Sequence, residues 1–295
     1  MKQNETGLQR ETKNIPNFPI SSPFDAAYRN SSSQSPVVPH SHNAAELYFT
    51  LTDLPDALLN DIVCEIPAGT LVIIPPFCIH QLYHEAGKVY ERYILSIDTQ
   101  WLDQVFYENT EIFSYLKQND RPLFLTPDAV QKEELVMYLN RLLAFGGDCD
   151  PEAMACFFHV LSILNRMADS LPSKQYRNIP VSETKKRVNE VTTYIRDHIY
   201  ENLTVADVAA HFYMNPDYLS RLFKQHVHLA VSSYITLQKM SAAQMLLRKG
   251  LTVTETQEKL GYSSYAYFFR CFCKNIGISP SRYRERYNTS SGNEP

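Results

Sequence analysis

His40, His42 and Glu46 occupy positions of equal parity, so a strand through them would set two imidazoles and a carboxylate on one face. Those donors suit a divalent transition metal, and they suit hydrogen bonds to a polar organic ligand equally well. A second stretch, Gly69-x5-Pro75-x4-His80, brings a further imidazole behind a turn. Tyr48, Tyr83, Tyr93 and Trp101 fall in the same region and have the ring faces on which a sugar stacks, although each would serve as core.

Different chemistry is spaced along the last third of the chain. Thr204 is a good N-cap for a helix over 205–212, with Asp207 in its first turn. Tyr213-Met214-Asn215 breaks that helix, and Asn215 with Pro216 starts another. Leu219, Leu222 and Phe223 form its apolar stripe, which leaves Asp217, Ser220, Arg221 and Lys224 on the other face. The pattern returns some fifty residues later. Thr252 caps 253–260, Gly261-Tyr262 turns the chain, and Ser263 or Ser264 caps 265–275. There Phe268 and Phe272 face inward, and Tyr265, Phe269, Arg270 and Lys274 face out. A short helix, a tight break and a second helix with polar residues opposite its core stripe is the helix-turn-helix pattern. A helix over 231–249 would join the two units across about 28 Å, close to the roughly 34 Å between successive major grooves on one face of a duplex.

Residues 185–287 resemble the DNA-binding domain of the AraC/XylS family of bacterial regulators. The resemblance is carried by Asn202-Leu203-Thr204-Val205-Ala206-Asp207-Val208-Ala209, by Tyr218-Leu219-Ser220-Arg221-Leu222-Phe223-Lys224, by Leu260-Gly261-Tyr262, and by Gly277-Ile278-Ser279-Pro280-Ser281-Arg282-Tyr283-Arg284. By family position it implies base-edge contacts from Asp217, Ser220 and Arg221 in the first unit. In the second it implies them from Tyr265, Ala266 and Arg270. Lys224 and Lys274 are expected on phosphates, which position a protein without reading sequence. Arg221 and Arg270 could otherwise be surface ion pairs, and Tyr265 a half-packed aromatic. The chain departs from the family at His228, where Gly is usual, and at Lys239, where Arg is usual. It departs again at Thr256-Gln257, usually Ile-Ala, and at Cys273, commonly Lys. These changes fall mostly in the second unit, where weaker or more tolerant base reading is expected.

The two histidine stretches are similar to the paired motifs of the cupin barrel, with Phe77 and His84 in place of the usual Gly and Asn. That similarity implies metal ligation by His40, His42, Glu46 and His80. Regulators resembling this one use such a barrel to bind a small molecule, often without metal. The same four residues, with Tyr48 and Tyr93, are therefore the candidate effector contacts. No cofactor is required by this assignment, and a divalent metal in the barrel is a candidate only.

The elements needed to position these groups are legible in outline. Short β-rich runs, Glu46–Leu51, Ile62–Ile66, Leu71–Ile74 and Tyr90–Ile97, are broken by Pro-Ala-Gly, Pro-Pro and Ala-Gly turns, as in a small sandwich or barrel. Helices follow over 127–145, with Leu135, Leu139, Leu142 and Leu143 on one face, and over 151–171, capped by Asp150. This helix pair packs on the barrel or forms a subunit contact. A further helix over 185–200 carries Val188, Val191, Ile195 and Ile199.

The fold class expected is α+β multidomain: an N-terminal cupin-like β-barrel with appended helices, then an all-α tandem helix-turn-helix domain. The divisions are a flexible arm over 1–23, an effector and dimerisation domain over 24–171, a linker over 172–184, the DNA-binding domain over 185–288 and a tail over 289–295.

At 295 residues and 44% hydrophobic, the chain has the length and composition for two cores. Six cysteines without a C-x-x-C pair argue against a disulfide framework or structural zinc. The net charge of -4 is unevenly spread. Residues 1–179 hold 13 Lys+Arg against 22 Asp+Glu, and residues 180–295 hold 15 against 10, so a polyanion would be drawn to the second part. No apolar run is long enough for a membrane helix and no secretory signal opens the chain, so a cytoplasmic protein is expected.

The function expected is a non-enzymatic, sequence-specific transcription regulator. Its expected partners are double-stranded DNA, a small-molecule effector such as a sugar, a second copy of itself and, as an activator, RNA polymerase; no membrane is involved. A metal-dependent cupin enzyme with an accessory DNA-binding domain, or a regulator controlled by a protein partner, are the alternatives.

Overall fold

Strands whose successive residues are buried on opposite sides organise the first half of the chain. The computed structural model describes residues 22–31, 39–83, 87–105, 112, 115–116, 121–145, 150–169 and 181–288. The expected arm up to residue 21, most of the loop over 31–39, the linker as far as 180, the tail from 289, and His84 and Cys149 lie outside the described residues.

Eight strands occur in chain order: β1 (Phe24–Ser31), β2 (Ala45–Thr50), β3 (Leu54–Leu59), β4 (Ile62–Ile66), β5 (Leu71–Ile74), β6 (His80–Tyr83), β7 (Tyr90–Ile97) and β8 (Leu123–Leu125). They form two antiparallel sheets, one of order β1-β7-β2-β5-β8 and one of order β4-β3-β6. A single bridge, His40 to His80, ties the segment before β2 to the smaller sheet. Strand pairing among the described residues therefore gives two facing sheets and not a closed barrel.

Alternation assigns each side chain to a layer. Leu47, Phe49, Leu71, Ile73, Tyr93 and Leu95 leave the large sheet on its outer side. There they meet α1 (Thr99–Val105), α2 (Ala129–Phe145) and α3 (Pro151–Asp169). Phe24 stacks on Phe157 of α3 with ring centroids 4.4 Å apart, and truncating such a buried ring costs about 3–5 kcal/mol. The α3 helix starts as its sequence demands, Asp150 Oδ1 accepting from the N–H groups of Glu152 and Ala153. Tyr48, Val72 and Ile74 leave the other side and meet Ala57, Leu59 and Cys64 of the small sheet.

Leu58, Val63 and Ile79 project from the far side of the small sheet into a core shared with the helical region. That region comprises α4 (Glu183–Asp197), α5 (Val205–His211), α6 (Pro216–Val227), α7 (Val231–Arg248), α8 (Val253–Lys259), α9 (Tyr265–Ile276) and α10 (Pro280–Asn288). Helices α4 to α6 share one core with Tyr234 and Ile235 of α7. Helices α8 to α10 share a second with Met240, Ala243 and Leu247 of the same helix. Helix α7 is thus buried along its length and holds both cores on one rod. Among the described residues no disulfide joins the cysteines, and no helix is long and apolar enough to cross a membrane.

Candidate nucleic-acid interface and histidine cluster

Each of the two helix pairs is built from local capping chemistry. Thr204 and Asp207 form a reciprocal capping box on α5, and Thr252 and Glu255 form the same box on α8. The Asp207 carboxyl is held below its ordinary range, chiefly by the Thr204 hydroxyl, and Glu255 likewise by that of Thr252. Tyr213, in the first break, has φ 52°, and its place in the second pair falls to Gly261–Tyr262, with Gly261 at φ 70°. A Cβ on Gly261 would lie 3.1 Å from the Tyr200 carbonyl oxygen. Glycine is needed there both for its conformation and for the close approach of the 200–202 backbone.

Asn215 and Ser264 cap α6 and α9 through their side chains. Both helices are strongly two-faced. On α6, Leu219, Leu222, Phe223 and Val227 are buried, and Asp217, Ser220, Arg221 and Lys224 are exposed. On α9, Phe268, Phe272 and Ile276 are buried, and Tyr265, Ala266, Phe269, Arg270 and Lys274 are exposed. The structure thus brings the residues expected on each outer face together. Between the pairs, Lys239 donates to the carbonyls of Glu201 (2.7 Å) and Leu260 (2.6 Å), and burial holds its ammonium pKa below the usual range. It caps chain segments from both pairs at once.

The second cluster lies in the β region. The ring nitrogens of His40, His42 and His80 that could ligate an ion lie within 4.8 Å of one another. Glu46 Oε1 is 3.1 Å from His42 Nε2, and Oε2 is 3.3 Å from His80 Nε2. The Nδ1 atoms of His42 and His80 face the carbonyls of Ala44 (3.1 Å) and Cys78 (3.0 Å). Donation to those carbonyls fixes both rings with Nε2 turned inward. His80 Nε2 and Glu46 Oε2 are buried without an aligned hydrogen-bond partner among the described residues. Three converging imidazoles with a carboxylate beside two of them are a donor set that fits a divalent cation. Burial raises the Glu46 carboxyl pKa, but His42 and His80 outweigh it and hold the group well below the carboxylate range. Burial lowers the His42 pKa, and Glu46 outweighs that in turn to raise it.

Of the aromatic residues expected here, Tyr48 joins the cluster, its ring 6.2 Å from that of His80. Tyr93 does not. It pairs with Phe49 across β7 and β2, faces the helices, and donates to Asn140 Oδ1 at 2.9 Å. Its parity is opposite to that of Glu46 and Tyr48, which corrects its assignment as an effector contact. Tyr83 and Trp101 are also engaged elsewhere, Tyr83 donating to the Val227 carbonyl at 2.6 Å and Trp101 packing on Phe157 and Phe158.

The residues that connect the two clusters went unpredicted. On α4, Lys185, Asn189, Thr192 and Arg196 make a polar stripe beside the apolar one. Asn189 accepts from the Val63 N–H and donates to its carbonyl, satisfying the edge strand β4 as another strand would. Arg196 binds Asp61, Thr192 donates to the Asp61 carbonyl, and Lys185 binds Asp56 and Glu65. A second link runs through residues 77–80. Phe77 donates its N–H to the His42 carbonyl, and its own carbonyl accepts from Ser241 of α7 at 2.6 Å. One short segment therefore touches both the histidine cluster and the rod that carries the helix pairs. The polar spacing of 185, 189, 192 and 196 was the available signal.

A family model described as a helix-turn-helix domain matches residues 208–286. Over 259 residues the chain is 26% identical to the uncharacterized HTH-type transcriptional regulator YfiF of Bacillus subtilis (strain 168), covering 85% of this chain and 80% of that one. Over 100 residues it is 36% identical to the arabinose operon regulatory protein of Escherichia coli (strain K12), covering 33% of this chain and 34% of that one. Residues 208–286 are a helix-turn-helix domain similar to that of AraC/XylS-family regulators. Among solved structures, the C-terminal domain of AraT, a response regulator from Geobacillus stearothermophilus, is 33% identical, with 36% of this chain and 86% of that chain covered and a TM-score of 0.33. These similarities support DNA-binding transcription regulation, and the match to the arabinose regulator spans only about a third of that protein's length.

The departures from the family pattern have structural counterparts in this regulator. His228 occupies the left-handed C-cap of α6 at φ 55°, the conformation that favours Gly, and its ring lies 4.1 Å from that of Tyr83. Thr256 and Gln257 are buried on α8. Gln257 donates to the Tyr262 carbonyl, but the Thr256 hydroxyl is buried without a partner among the described residues.

Proposed function

We propose that this regulator grips one duplex with a tandem pair of helix-turn-helix units, α6 and α9 lying in successive major grooves. The observation that carries the proposal is the pair of capped, outward-facing helices held on α7, a rod shared by both cores. Asp217, Ser220 and Arg221, and in the second unit Tyr265, Ala266 and Arg270, then face base edges, while Lys224 and Lys274 face phosphates. Selection of bound duplexes from a random pool by the full chain tests this. Enrichment of a two-part site is expected, and a pool left unenriched at moderate salt would refute it.

The β region, on the same proposal, is a cupin-type sensor whose histidine cluster receives the effector. The convergence of His40, His42 and His80 on Glu46 favours a divalent cation as the ligand or as its anchor. His40, His42, His80 and Glu46 would hold it, and it would supply a Lewis-acidic point for an oxygen donor of an organic effector. The segment 77–80 then passes the state of the cluster to α7, shifting the population of DNA-competent arrangements. Metal content after purification without chelator, compared with a His80→Ala variant, checks the input. Equal metal in both proteins would contradict this assignment. Pairing of two copies through the outer faces of α2 and α3 completes the proposal and is read by sedimentation.

A further inference from the structure

The two recognition helices can be aligned residue by residue on their buried positions, Leu219 with Phe268 and Phe223 with Phe272. Arg221 then matches Arg270. The two neighbouring outward positions differ in kind: Asp217 and Ser220 on α6 become Ala266 and Phe269 on α9. Hydrogen-bonding groups in the first unit are replaced by groups that can only make apolar contact.

The outer face of α9 is rich in exposed rings. Tyr265 is 46% exposed, Tyr267 52% and Phe269 37%. Tyr265 and Phe269, one turn apart, stack with centroids 6.2 Å apart and planes 29° from parallel. Arg270 and Lys274 flank the pair, so the face is apolar at its centre and cationic at its edge. An exposed apolar face that cationic side chains carry toward a polyanion has one partner group of matching chemistry in a major groove, the 5-methyl of thymine.

We propose that the second unit reads thymine methyl groups through Ala266 and the Tyr265–Phe269 pair, with Arg270 adding a single guanine contact. The first unit reads hydrogen-bonding patterns. The inference rests on the proposed docking of α6 and α9 in successive grooves and specifies the chemistry of the second half-site. It also gives a physical form to weaker base reading by that unit, since a methyl contact discriminates less than a bidentate hydrogen-bonded pair.

Deoxyuridine pairs like thymidine but lacks the methyl. Each thymine in the selected duplex is replaced by deoxyuridine, one half-site at a time, and affinity of the full chain is measured. Burying one methyl is worth about fourfold in affinity. Replacement in the second half-site should weaken binding about fourfold per methyl contacted and change little in the first. Phe269→Ser should lose that preference while keeping the first half-site's discrimination; Ala266→Ser, an exposed one-atom change, gives the same readout if Phe269→Ser fails to fold. Indifference of the second half-site to deoxyuridine, equal sensitivity of both, or a selected second half-site without thymine would overturn the proposal. So would a Phe269→Ser protein with unchanged DNA affinities that had lost activation by RNA polymerase in vitro, which would assign the face to polymerase. A pool yielding no preferred duplex would instead refute the underlying docking.

Discussion

The Asp61 carboxylate lies 2.6 Å from the Arg196 guanidinium, joining the turn after β3 to helix α4. Thr193 donates to the same oxygen at 2.9 Å, and the Asp61 side chain is 3% exposed. The β region and the first helix pair are thereby held together by a buried charge pair as well as by the core around Leu58, Val63 and Ile79.

Asp61→Asn removes the buried member of the pair and leaves Arg196 only its half-exposed neighbour Asp197, so the loss is at most about 3 kcal/mol. Thermal unfolding of the variant should separate into two transitions, one for each region. A single transition at the parent temperature would contradict the role given to this pair.

His228→Gly should stabilise the protein. A non-glycine residue in the left-handed region costs about 1–2 kcal/mol, and the ring contact with Tyr83 and the greater freedom of unfolded glycine offset part of it. A net gain of roughly 0.5–1 kcal/mol is expected in denaturant melts. Gly261→Ala should do the reverse, because backbone at Tyr200 and Glu201 blocks the new Cβ.

Thr256→Val removes a buried hydroxyl without a partner and keeps the side-chain shape. The desolvation penalty recovered is about 1 kcal/mol. A loss of stability in the same melts would mean that the hydroxyl has a partner after all.

Acid should loosen the two capping boxes. Asp207 and Glu255 are held below their ordinary values of 3.8 and 4.5. Their contribution is therefore complete above those values and is lost as pH falls through the lower folded ones. The melting temperature of the parent should fall faster below about pH 4 than that of a Thr204→Ala/Thr252→Ala protein, in which the boxes are already broken. Parallel curves would exclude the boxes as the cause.

Much of this architecture can be read from local chemistry. Thr204, Asn215, Thr252 and Ser264 announce helix starts, and Gly261 a left-handed turn, because capping depends on residues within one turn. Strands β2, β4, β5 and β7 follow from their apolar runs. By contrast β1, β3, β6 and β8 carry no comparable apolar run. Phe24-Asp25-Ala26-Ala27 carries little β signal, and Pro55 and Asp56 interrupt β3. Their pairing comes from β7, β5 and the facing sheet, all distant in sequence. The spacing of His40, His42 and Glu46 marks them as candidate ligands, but only Glu46 lies in β2, and the two histidines reach the cluster from the segment before it. His80 and Tyr93 sit on other strands, where facing the cluster or the helices depends on register that no local pattern sets. The Asp61–Arg196 contact had no local sign in Asp61 itself, since 135 residues separate the partners.

The spacing of the two grips is the quantity on which the account turns. Affinity of the full chain should be measured for its selected duplex and for the same duplex with five base pairs inserted between the half-sites, about half a helical turn. Helix α7, buried in both cores, cannot follow that rotation, so the insertion should reduce affinity to that of a single half-site, and a further five base pairs should not restore it. Equal affinity for the parent and inserted duplexes would contradict two recognition helices fixed on one rod.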